Sequence, residues 1–544
     1  MIKNYINLLQ QKFSNNNFFS KIILSLFKLR VLTHLSKDDK KIISQWIKFK
    51  NFEQKKFKGH LIYNCTIDQA WMGFHLQQLF FLQIFYSQGY VPIILNSYNL
   101  EKVYKNLGYI SLKNIFTYVP KDTNFSLIKK KLNNLKSTKF IWKGINCGNL
   151  AKNSALRELK ISSLSLKNNK HLKVFKFYLI KSILYVEGFN FLKKKYQIKN
   201  GLFNDHDMCG EGEIFNSLLN NNFPQFSITA GYKNNTFYLK KYFSKNKFDH
   251  PRSLSKISLN KMNNDKLNEK KKFKLKTEIF NTYKKKEWEI FAKTQTKTDF
   301  KKSEEIKKFL KINNNKKNIV IFSHIFYDAT FSWGVNVFKN YEEWLIRSVN
   351  ALCKNKNINP ILKIHPANIS KSNNNKKFIN NEIEALKKIK NGIPKNLKII
   401  LPNSIINTHS IIKMMDACIT VRGTVGIEAA ARKKLIITCG SGRYDRLGFS
   451  LDFSNKKKYI KFLKNSKFEF PGKLNYKNGE KFAYYTLFKR PFFPNTKVSY
   501  YDVSKKNFPI NKFKPFDINS KKFIKDKILI SKWIKNINED FLNN

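Results

Sequence analysis

Arginine and glycine are concentrated in one short segment of this 544-residue chain. Lysine supplies nearly all of the 103 basic side chains, and arginine occurs at only nine positions. Four of those arginines fall between Arg422 and Arg446, and five of the 20 glycines fall between Gly423 and Gly448. Arginine offers a planar, permanently charged fork of N–H donors, which suits phosphate and carboxylate groups better than the point charge of lysine. The segment therefore predicts an anion-binding site.

The order of residues in this segment is typical of a phosphate cradle. A predicted strand is followed by Arg422, Gly423 and Thr424, and then by a predicted helix. Amides at the start of a helix, a glycine that permits close approach and a nearby cation together favour phosphate binding. Glu428 lies one position too late to form a capping box with Thr424. Its carboxylate is therefore either a ribose ligand, which accepts from vicinal hydroxyls, or an ordinary solvated helix residue.

Histidines follow two other predicted strands of the same region. Ser323 and His324 close one strand, and His365, which Pro366 holds in an extended conformation, closes the next. An imidazole can donate to a diphosphate or protonate a leaving group. Ligands of open α/β sheets bind at the carboxyl ends of strands, so we expect both histidines to lie near the arginine-rich turn.

Acidic residues form a cluster in the first half of the chain. Asp205, Asp207, Glu211 and Glu213 lie close together, although the whole chain has only 37 Asp and Glu residues. A carboxylate that faces a cleft can deprotonate an acceptor hydroxyl, and we expect this role for Asp207 first and Glu211 second. Asp205-His206-Asp207 also forms a D-x-D pattern, a short motif that binds divalent metals in some enzymes. Such short matches arise by chance, and we predict no metal site.

The elements that must position these residues alternate between strands and helices. We predict strands over 59–65, 90–95, 318–323, 360–365, 398–401, 417–421 and 434–438, with helices over 71–86 and 425–432. Near-continuous apolar strands that alternate with helices indicate parallel sheets covered on both faces. The fold class is therefore α/β. Asp68 and His75, which follow the first strand, are further candidate site residues.

The composition divides the chain into five segments. They are an N-terminal helical segment (1–50), a Rossmann-like domain (51–253), a linker rich in lysine and asparagine with helices (254–318), a second Rossmann-like domain (319–450) and a C-terminal extension (451–544). Two interpretations of the first segment stay open: an ordinary helix that packs on its own domain, or a basic amphipathic helix on an anionic membrane.

The formal net charge of +66 suggests a polyanion ligand at first. However, 42% of the residues are hydrophobic and 15% are aromatic, which excludes a disordered basic tail. Lysine, asparagine, isoleucine and phenylalanine are abundant together, as expected of a proteome with A- and T-rich codons, so we expect no nucleic-acid partner. The six cysteines lack metal-binding spacing and no apolar run reaches membrane-spanning length, which together predict a cytoplasmic protein.

Three motifs resemble the donor-binding domain of GT-B glycosyltransferases: SHIFYDATFSWG, KIHPAN and DACITVRGTVGIEAAARKKLIITCGSGRYDRLGF. The nearest resemblance is to bacterial capsule and surface-polysaccharide biosynthesis proteins, including capsular Kdo transferases. Polysialyltransferases and CDP-glycerol polyol-phosphate transferases are more distant. The resemblance covers residues 319–449 and implies a GT-B fold, in which two Rossmann-like domains enclose a cleft. The first half matches only in architecture, since NCTIDQAWMGFH lacks the glycine-rich loop common there.

The resemblance also implies roles for individual residues. His365 would contact the donor phosphate, and Glu428 would bind the nucleotide ribose. The implied nucleotide-sugar-binding residues are Ser323, His324, His365, Arg422, Gly423, Thr424, Gly426, Glu428 and Arg443, and the catalytic candidates are Asp207, Glu211 and His365.

We therefore expect a glycosyltransferase that moves a sugar from a nucleotide sugar to a growing capsule, lipopolysaccharide or other surface glycan, without metal or cofactor. Its partners would be a glycan or glycolipid acceptor and, peripherally, anionic lipid at the inner face of the cell membrane. Two alternatives remain open. A polyol-phosphate transferase would hold a CDP-alcohol in the same cradle, and a non-catalytic protein would bind a polyanion or glycan through its lysine-rich surface.

Overall fold

Two six-stranded sheets form the framework of the computed structural model. The structure describes residues 43–48, 56–65, 72–96, 100–112, 114–219, 222–233, 235–284, 301–328, 330–368, 381–498 and 515–543. The predicted N-terminal segment (1–50) lies outside these residues except for 43–48. In that short stretch Trp46 is buried, and its ring packs edge to face with the ring of Phe516 at 5.5 Å between ring centroids.

The first sheet is parallel except at one edge. Its strands are β1 (Gly59–Asn64), β2 (Tyr90–Leu95), β3 (Ile110–Leu112), β4 (Asn200–Phe203), β5 (Gln225–Ala230) and β6 (Phe237–Tyr242). They lie in the order β3-β2-β1-β4-β5-β6, and only β6 runs antiparallel to its neighbour.

The second sheet is entirely parallel. Its strands are β7 (Lys317–Phe322), β8 (Ile358–Lys363), β9 (Lys398–Ile400), β10 (Ala417–Thr420), β11 (Leu435–Thr438) and β12 (Leu451–Asp452). The order is β12-β11-β10-β7-β8-β9, so the chain reverses its direction of winding beside β7. A crevice at the carboxyl ends of the strands is the usual ligand position at such a switch point.

Helices connect the strands and cover both sheets. Those of the first half are α1 (Met72–Ser87), α2 (Glu101–Asn106), α3 (Phe125–Asn133), α4 (Cys147–Leu159), α5 (Asn169–Tyr196) and α6 (Gly212–Leu219). Along the chain, between β6 of the first sheet and β7 of the second, come α7 (Lys256–Asn264), α8 (Glu269–Lys284) and α9 (Ser303–Phe309). The second half adds α10 (Tyr341–Leu352), α11 (Asn381–Leu386), α12 (Thr408–Met414), α13 (Thr424–Ala430), α14 (Lys456–Asn465), α15 (Tyr476–Tyr484) and α16 (Lys521–Lys535).

Apolar side chains alternate between the two faces of each sheet. On β1, Leu61 and Tyr63 enter one buried cluster and Ile62 enters the other. On β7, Val320 and Ile321 likewise lie on opposite faces. Successive side chains of a strand point to opposite sides, so two covered faces require apolar residues at every position. The prediction of an α/β fold with two covered parallel sheets is confirmed, and each predicted strand lies within two residues of its expected bounds.

The C-terminal extension belongs to both halves of the molecule. Helix α14 packs on α10 and α15 packs on α13, both beside the second sheet. The chain then returns to the first half, where α16 packs on α1 and Phe523 and Trp533 enter the core beside β1. The lysine-rich region between the sheets also supplies core residues, since Met262, Leu275 and Ile306 are buried with the second half.

None of the six cysteines forms a disulfide bond, and all but Cys353 are buried. Among the residues that the structure describes, no helix combines the length and the apolar character needed to cross a membrane.

Candidate active site

The loops that follow four strands meet at the carboxyl edge of the second sheet. The amide of Val421, after β10, donates to Nε2 of His324, after β7, at 3.1 Å. The amide of His365, after β8, donates to Oγ of Ser323 at 2.9 Å. Arg443, after β11, donates from Nη1 to the carbonyl of Arg422 at 3.1 Å. The structure therefore brings the predicted strand-end residues together.

The first half of the molecule borders the same edge. The amide of Gly334 donates to the carbonyl of Phe248 at 2.9 Å, and the amide of His250 donates to the carbonyl of Gly442 at 3.2 Å. The ring of Trp333 meets the edge of His206 at 5.0 Å between ring centroids. The strand-end loops of the second half thus face the acidic segment of the first half.

His324 is held as a neutral imidazole. Its Nε2 accepts from the Val421 amide and lies 3.0 Å from Oγ1 of Thr420. Because an amide can only donate, we assign the ring proton to Nδ1. Burial, followed by the charges of His365 and Arg422, lowers the pKa of His324 to about 3. His324 therefore offers one N–H donor near neutral pH and carries no charge.

Arg422 is buried, yet only part of its guanidinium is paired. Nη2 donates to Oδ1 of Asn336 and, at 3.4 Å, to the carbonyl of Val335. Nε and Nη1 are buried and form no hydrogen bond of regular geometry with the described residues, and the hydroxyl of Tyr341 is the neighbouring group that interacts with the guanidinium. A buried donor without a partner is costly, so this arrangement favours an anion as the missing partner.

Arg443 repeats this pattern beside the same turn. Its Nη1 donates to the carbonyl of Arg422 and to Oγ1 of Thr424 at 3.2 Å. Nε and Nη2 are buried without an acceptor in the described part of the chain. Burial lowers the pKa of Arg443 to about 10, so the side chain keeps its charge at neutral pH. The two arginines together present four nitrogen atoms that can still donate.

The two glycines of the turn are required by packing. A Cβ on Gly423 would lie 2.8 Å from Oγ1 of Thr420, the same oxygen that accepts the Gly423 amide at 3.1 Å. A Cβ on Gly426 would lie 2.1 Å from the hydroxyl of Tyr444, which donates to the Gly423 carbonyl at 2.9 Å. Gly426 thus makes room for a phenol that fixes the turn. Its predicted contact with the nucleotide stays a prediction.

Glu428 is buried on α13 and is not the solvated helix residue that its sequence position also allowed. Only 1% of its surface is exposed. Its charge adds to burial in raising the pKa of the Cys418 thiol on β10. The carboxylate therefore lies near Cys418 on β10, and its role as a ribose ligand stays a prediction.

A residue that the sequence analysis missed supports the turn after β8. Glu382, at the start of α11, accepts through Oε1 from Oγ of Ser323 at 3.1 Å and from Nδ2 of Asn368 at 2.7 Å. Ser323 in turn accepts the amide of His365. Glu382 thus positions both the end of β7 and the loop that carries His365. In the sequence NNEIEALKK it looks like an ordinary helix residue, so no local signal reveals it.

We expect the substitution Glu382→Ala to destabilise the protein by about 1 to 3 kcal/mol, because it leaves the Ser323 hydroxyl and the Asn368 amide without their acceptor. Denaturant unfolding of the variant and the wild type measures the difference. Glu384→Ala is the matched control on the same helix, since Glu384 is exposed and its ion pair with Lys387 lies at the surface. Equal stabilities of the two variants would contradict the positioning role of Glu382.

Asp207 connects the two halves of the molecule. Its Oδ2 accepts from the hydroxyl of Ser332, which lies in the loop after β7. Its Oδ1 is buried and accepts no hydrogen bond within the described residues. Burial, then the charge of Asp205 and a hydrogen bond shared with that carboxyl group, raise the pKa of Asp207 well above its usual range, while the charge of Arg157 lowers it. A carboxyl group with an elevated pKa at the contact between the two halves is a candidate for proton transfer.

The other acidic residues of the segment have structural partners. Asp205 is half exposed and pairs with Arg157 at 3.2 Å. Glu211 accepts the amides of Asn204 and Asp205 at 2.9 and 3.0 Å, and burial raises its pKa to about 7. Glu213 accepts the amide of Gly210 at 2.7 Å. Glu211 thus shapes the loop after β4, and its catalytic role stays a prediction.

The remaining candidates are His75 and Asp68, which follow the first strand, and a metal site. His75 is buried and its Nδ1 lies 2.7 Å from the hydroxyl of Tyr63, so it packs inside the first half. Asp68 lies outside the described residues. Within those residues, no group of three or more His, Cys, Asp and Glu side chains is arranged to hold a metal ion.

Comparison with known proteins identifies the region that contains this site. Residues 232–469 match the family model described as capsule polysaccharide biosynthesis protein. The match begins just before β6, covers the whole second sheet and ends after α14. It confirms the resemblance that three motifs indicated, over somewhat less than half of the chain. No curated protein matches the chain in sequence.

Several solved structures are similar to the chain at low identity. The beta Kdo 2,4 transferase KpsC of Thermosulfurimonas dismutans is 10% identical over 55% of this chain and 82% of that chain, with a TM-score of 0.32. The beta Kdo 2,7 transferase KpsC of the same organism is 16% identical over 56% and 81%, with a TM-score of 0.31. The UDP-GlcNAc 2-epimerase of Methanocaldococcus jannaschii is 14% identical over 77% and 97%, with a TM-score of 0.24.

Proposed function

We propose that this protein is a glycosyltransferase that transfers a sugar from a nucleotide sugar to a capsule polysaccharide or a related surface glycan. One observation carries the proposal. Arg422 and Arg443 place four buried, unpaired guanidinium nitrogens at the carboxyl edge of a parallel sheet. The phosphates of a nucleotide sugar would supply the acceptors that these donors lack. The match to a capsule biosynthesis family supports the class of acceptor.

The donor would lie along the edge of the second sheet. Its phosphates would contact Arg422, Arg443 and Nδ1 of His324, and His365 would approach from the end of β8. The ribose would lie toward Glu428 on α13. This placement follows the general rule that nucleotides bind where parallel strands end and the order of strands reverses.

The reaction would exchange one bond at the anomeric carbon for another. An acceptor hydroxyl oxygen attacks that carbon, and the bond between the carbon and the phosphate oxygen breaks. The nucleotide leaves with the electron pair, and the hydroxyl proton passes to Asp207. The two guanidinium groups neutralise charge that develops on the leaving phosphate, so we propose that the transfer requires neither a divalent ion nor a cofactor.

The protein would contact a glycan or glycolipid acceptor through the first half of the molecule. Asp207 belongs to that half and reaches across to Ser332 in the second half. An acceptor bound between the halves would therefore meet the vacant Oδ1 of Asp207 on one side and the donor on the other. We propose a cytoplasmic location for this reaction, because nucleotide sugars are made and kept there.

We expect a nucleotide to raise the melting temperature of the protein, because a ligand that binds only the folded state stabilises it. A thermal-shift panel of CMP, CDP, UDP, GDP and their sugars tests this. A response specific to CMP favours an acidic sugar such as Kdo, and a response to UDP or GDP favours a neutral sugar. Glu428→Ala should remove the response to nucleotides but keep a response to inorganic pyrophosphate.

Two results would contradict this proposal. If no nucleotide raised the melting temperature while a sulfated polysaccharide did, the lysine-rich surface would be the binding element and the protein would be a polyanion-binding protein. If pyrophosphate alone gave the full effect of a nucleotide, the ribose assignment of Glu428 would be wrong.

A further inference from the structure

Two cavities open on one side of the first half of the molecule, and both are lined by lysine. The first has a volume of about 720 Å³ and is lined by Lys143, Lys193, Lys194 and Lys199 together with Phe223 and other residues. The second has a volume of about 500 Å³ and is lined by Lys130, Lys131, Lys136 and Lys139 together with Leu127 and Phe140. Among the described residues, no Asp or Glu lines either cavity, although Lys143 pairs with the buried Glu187 behind the first cavity at 2.7 Å.

A short hairpin joins the two cavities into one surface. Trp142 and Ile145 form its backbone bridge, and Phe140 at the second cavity stacks on Trp142 at 6.4 Å. Lys131 lies over the same indole at 5.4 Å. One residue further along, Lys143 lines the first cavity. We call this surface, which comprises both cavities and the hairpin between them, the basic face.

The basic face also exposes large apolar side chains. Ile141, one residue before the bridged Trp142, is 67% exposed, and Phe191, which follows the cavity residue Asn190 on α5, is 45% exposed. Phe223 and Leu127, which line the first and second cavities, are 40% and 39% exposed. Lysines alone would serve any polyanion. Apolar groups set among lysines instead suit a surface that offers both anionic headgroups and a hydrocarbon interior.

The basic face lies away from the candidate active site. Gln197, Ile198 and Lys199 line the first cavity and immediately precede β4, so the cavity lies at the amino end of that strand. The site lies at the carboxyl ends of the strands. Changes to the basic face should therefore leave nucleotide binding unaltered.

We infer that the basic face docks the protein on an anionic phospholipid bilayer, with its lysines on the headgroups and Ile141, Phe191 and Phe223 in the interfacial layer. This inference goes beyond the proposed function and does not depend on it. It also places the contact on the folded first half rather than on segment 1–50.

Co-sedimentation with vesicles tests the inference. The full chain should bind vesicles that contain phosphatidylglycerol and should not bind vesicles of phosphatidylcholine alone. Reversal of Lys136, Lys139, Lys194 and Lys199 to glutamate should weaken partition by about a hundredfold or more, because each lysine near an anionic surface contributes separately. Ile141→Ser should weaken it less, and Ile141→Trp should strengthen it, since tryptophan favours the interface.

A third lysine-rich cavity, on the second half of the molecule, provides the matched control. It has a volume of about 590 Å³ and includes Lys354, Lys457, Lys461 and Lys464, but no large apolar residue of its lining is strongly exposed. Reversal of these four lysines changes the net charge by the same amount and should leave vesicle binding nearly unchanged. The nucleotide response should be retained in both fourfold variants, which separates this test from that of the proposed function.

Three results would overturn the inference. The first is equal loss of vesicle binding in the two fourfold variants, which would mean that only net charge matters. The second is no effect of either substitution of Ile141. The third is loss of binding to a sulfated polysaccharide, but not to vesicles, when the basic face is reversed, which would identify a glycan as its ligand.

Discussion

Replacement of Arg422 by lysine is expected to abolish the nucleotide-induced rise in melting temperature and to lower transfer by about a hundredfold or more. Lysine keeps the charge but lacks the planar fork of N–H groups. It therefore cannot replace the two buried donors of Arg422, Nε and Nη1. Arg443→Lys should have a similar effect, because Nε and Nη2 of Arg443 are also buried without an acceptor among the described residues. The readouts are the thermal shift and the release of nucleotide from the most stabilising donor.

Arg446→Lys is the control for this prediction. Arg446 lies in the same arginine-rich segment, but its side chain is 83% exposed and, within the part of the chain that the structure describes, its ion pair is with the neighbouring Asp445. The Arg446→Lys variant should bind nucleotide as the wild type does. Because Nη2 of Arg422 also holds Asn336 and Val335, the melting temperature without ligand must be measured for each variant. A folded Arg422→Lys variant that retains the full nucleotide response would refute the donor-site assignment.

Asp207→Asn is expected to lower transfer by about a hundredfold to ten-thousandfold while leaving the nucleotide response intact. Asparagine keeps an oxygen that can accept from the Ser332 hydroxyl, so the contact between the two halves should survive. It cannot accept the proton of the attacking hydroxyl. The Arg422 and Asp207 variants therefore separate donor binding from chemistry.

The neighbouring carboxylate gives this second prediction its control and its pH dependence. The charge of Asp205 helps to raise the pKa of Asp207. Its removal in Asp205→Asn should lower the pKa of Asp207, and the acidic limb of the pH–rate profile should then move to lower pH without loss of the maximal rate. If Asp205→Asn abolished transfer and Asp207→Asn did not, the base would be Asp205.

Features of this protein that depend on neighbours along the chain are predictable from the order of its residues. The strands β7, β8 and β10 were predictable because each is a run of apolar residues whose length and flanks encode a buried strand. The predicted convergence of His324, His365 and Arg422 was also correct, because parallel strands in one sheet must end at one edge. Local pattern and topology thus predicted which strand-end residues of the second sheet lie together.

The tertiary structure alone decided which side chains complete that site. Glu382 supports His365 through Ser323, which lies 59 positions before Glu382 in the chain. The contact of Asp207 with Ser332 joins residues 125 positions apart. The requirement for glycine at position 426 comes from Tyr444, which only the packed loop after β11 brings there. The periodicity of apolar residues predicts whether a residue is buried, but it does not predict which residues it contacts. Hydrogen-bond partners are set by how whole elements pack, so Glu382, the vacant oxygen of Asp207 and the return of α16 to the first half became visible only in the folded chain.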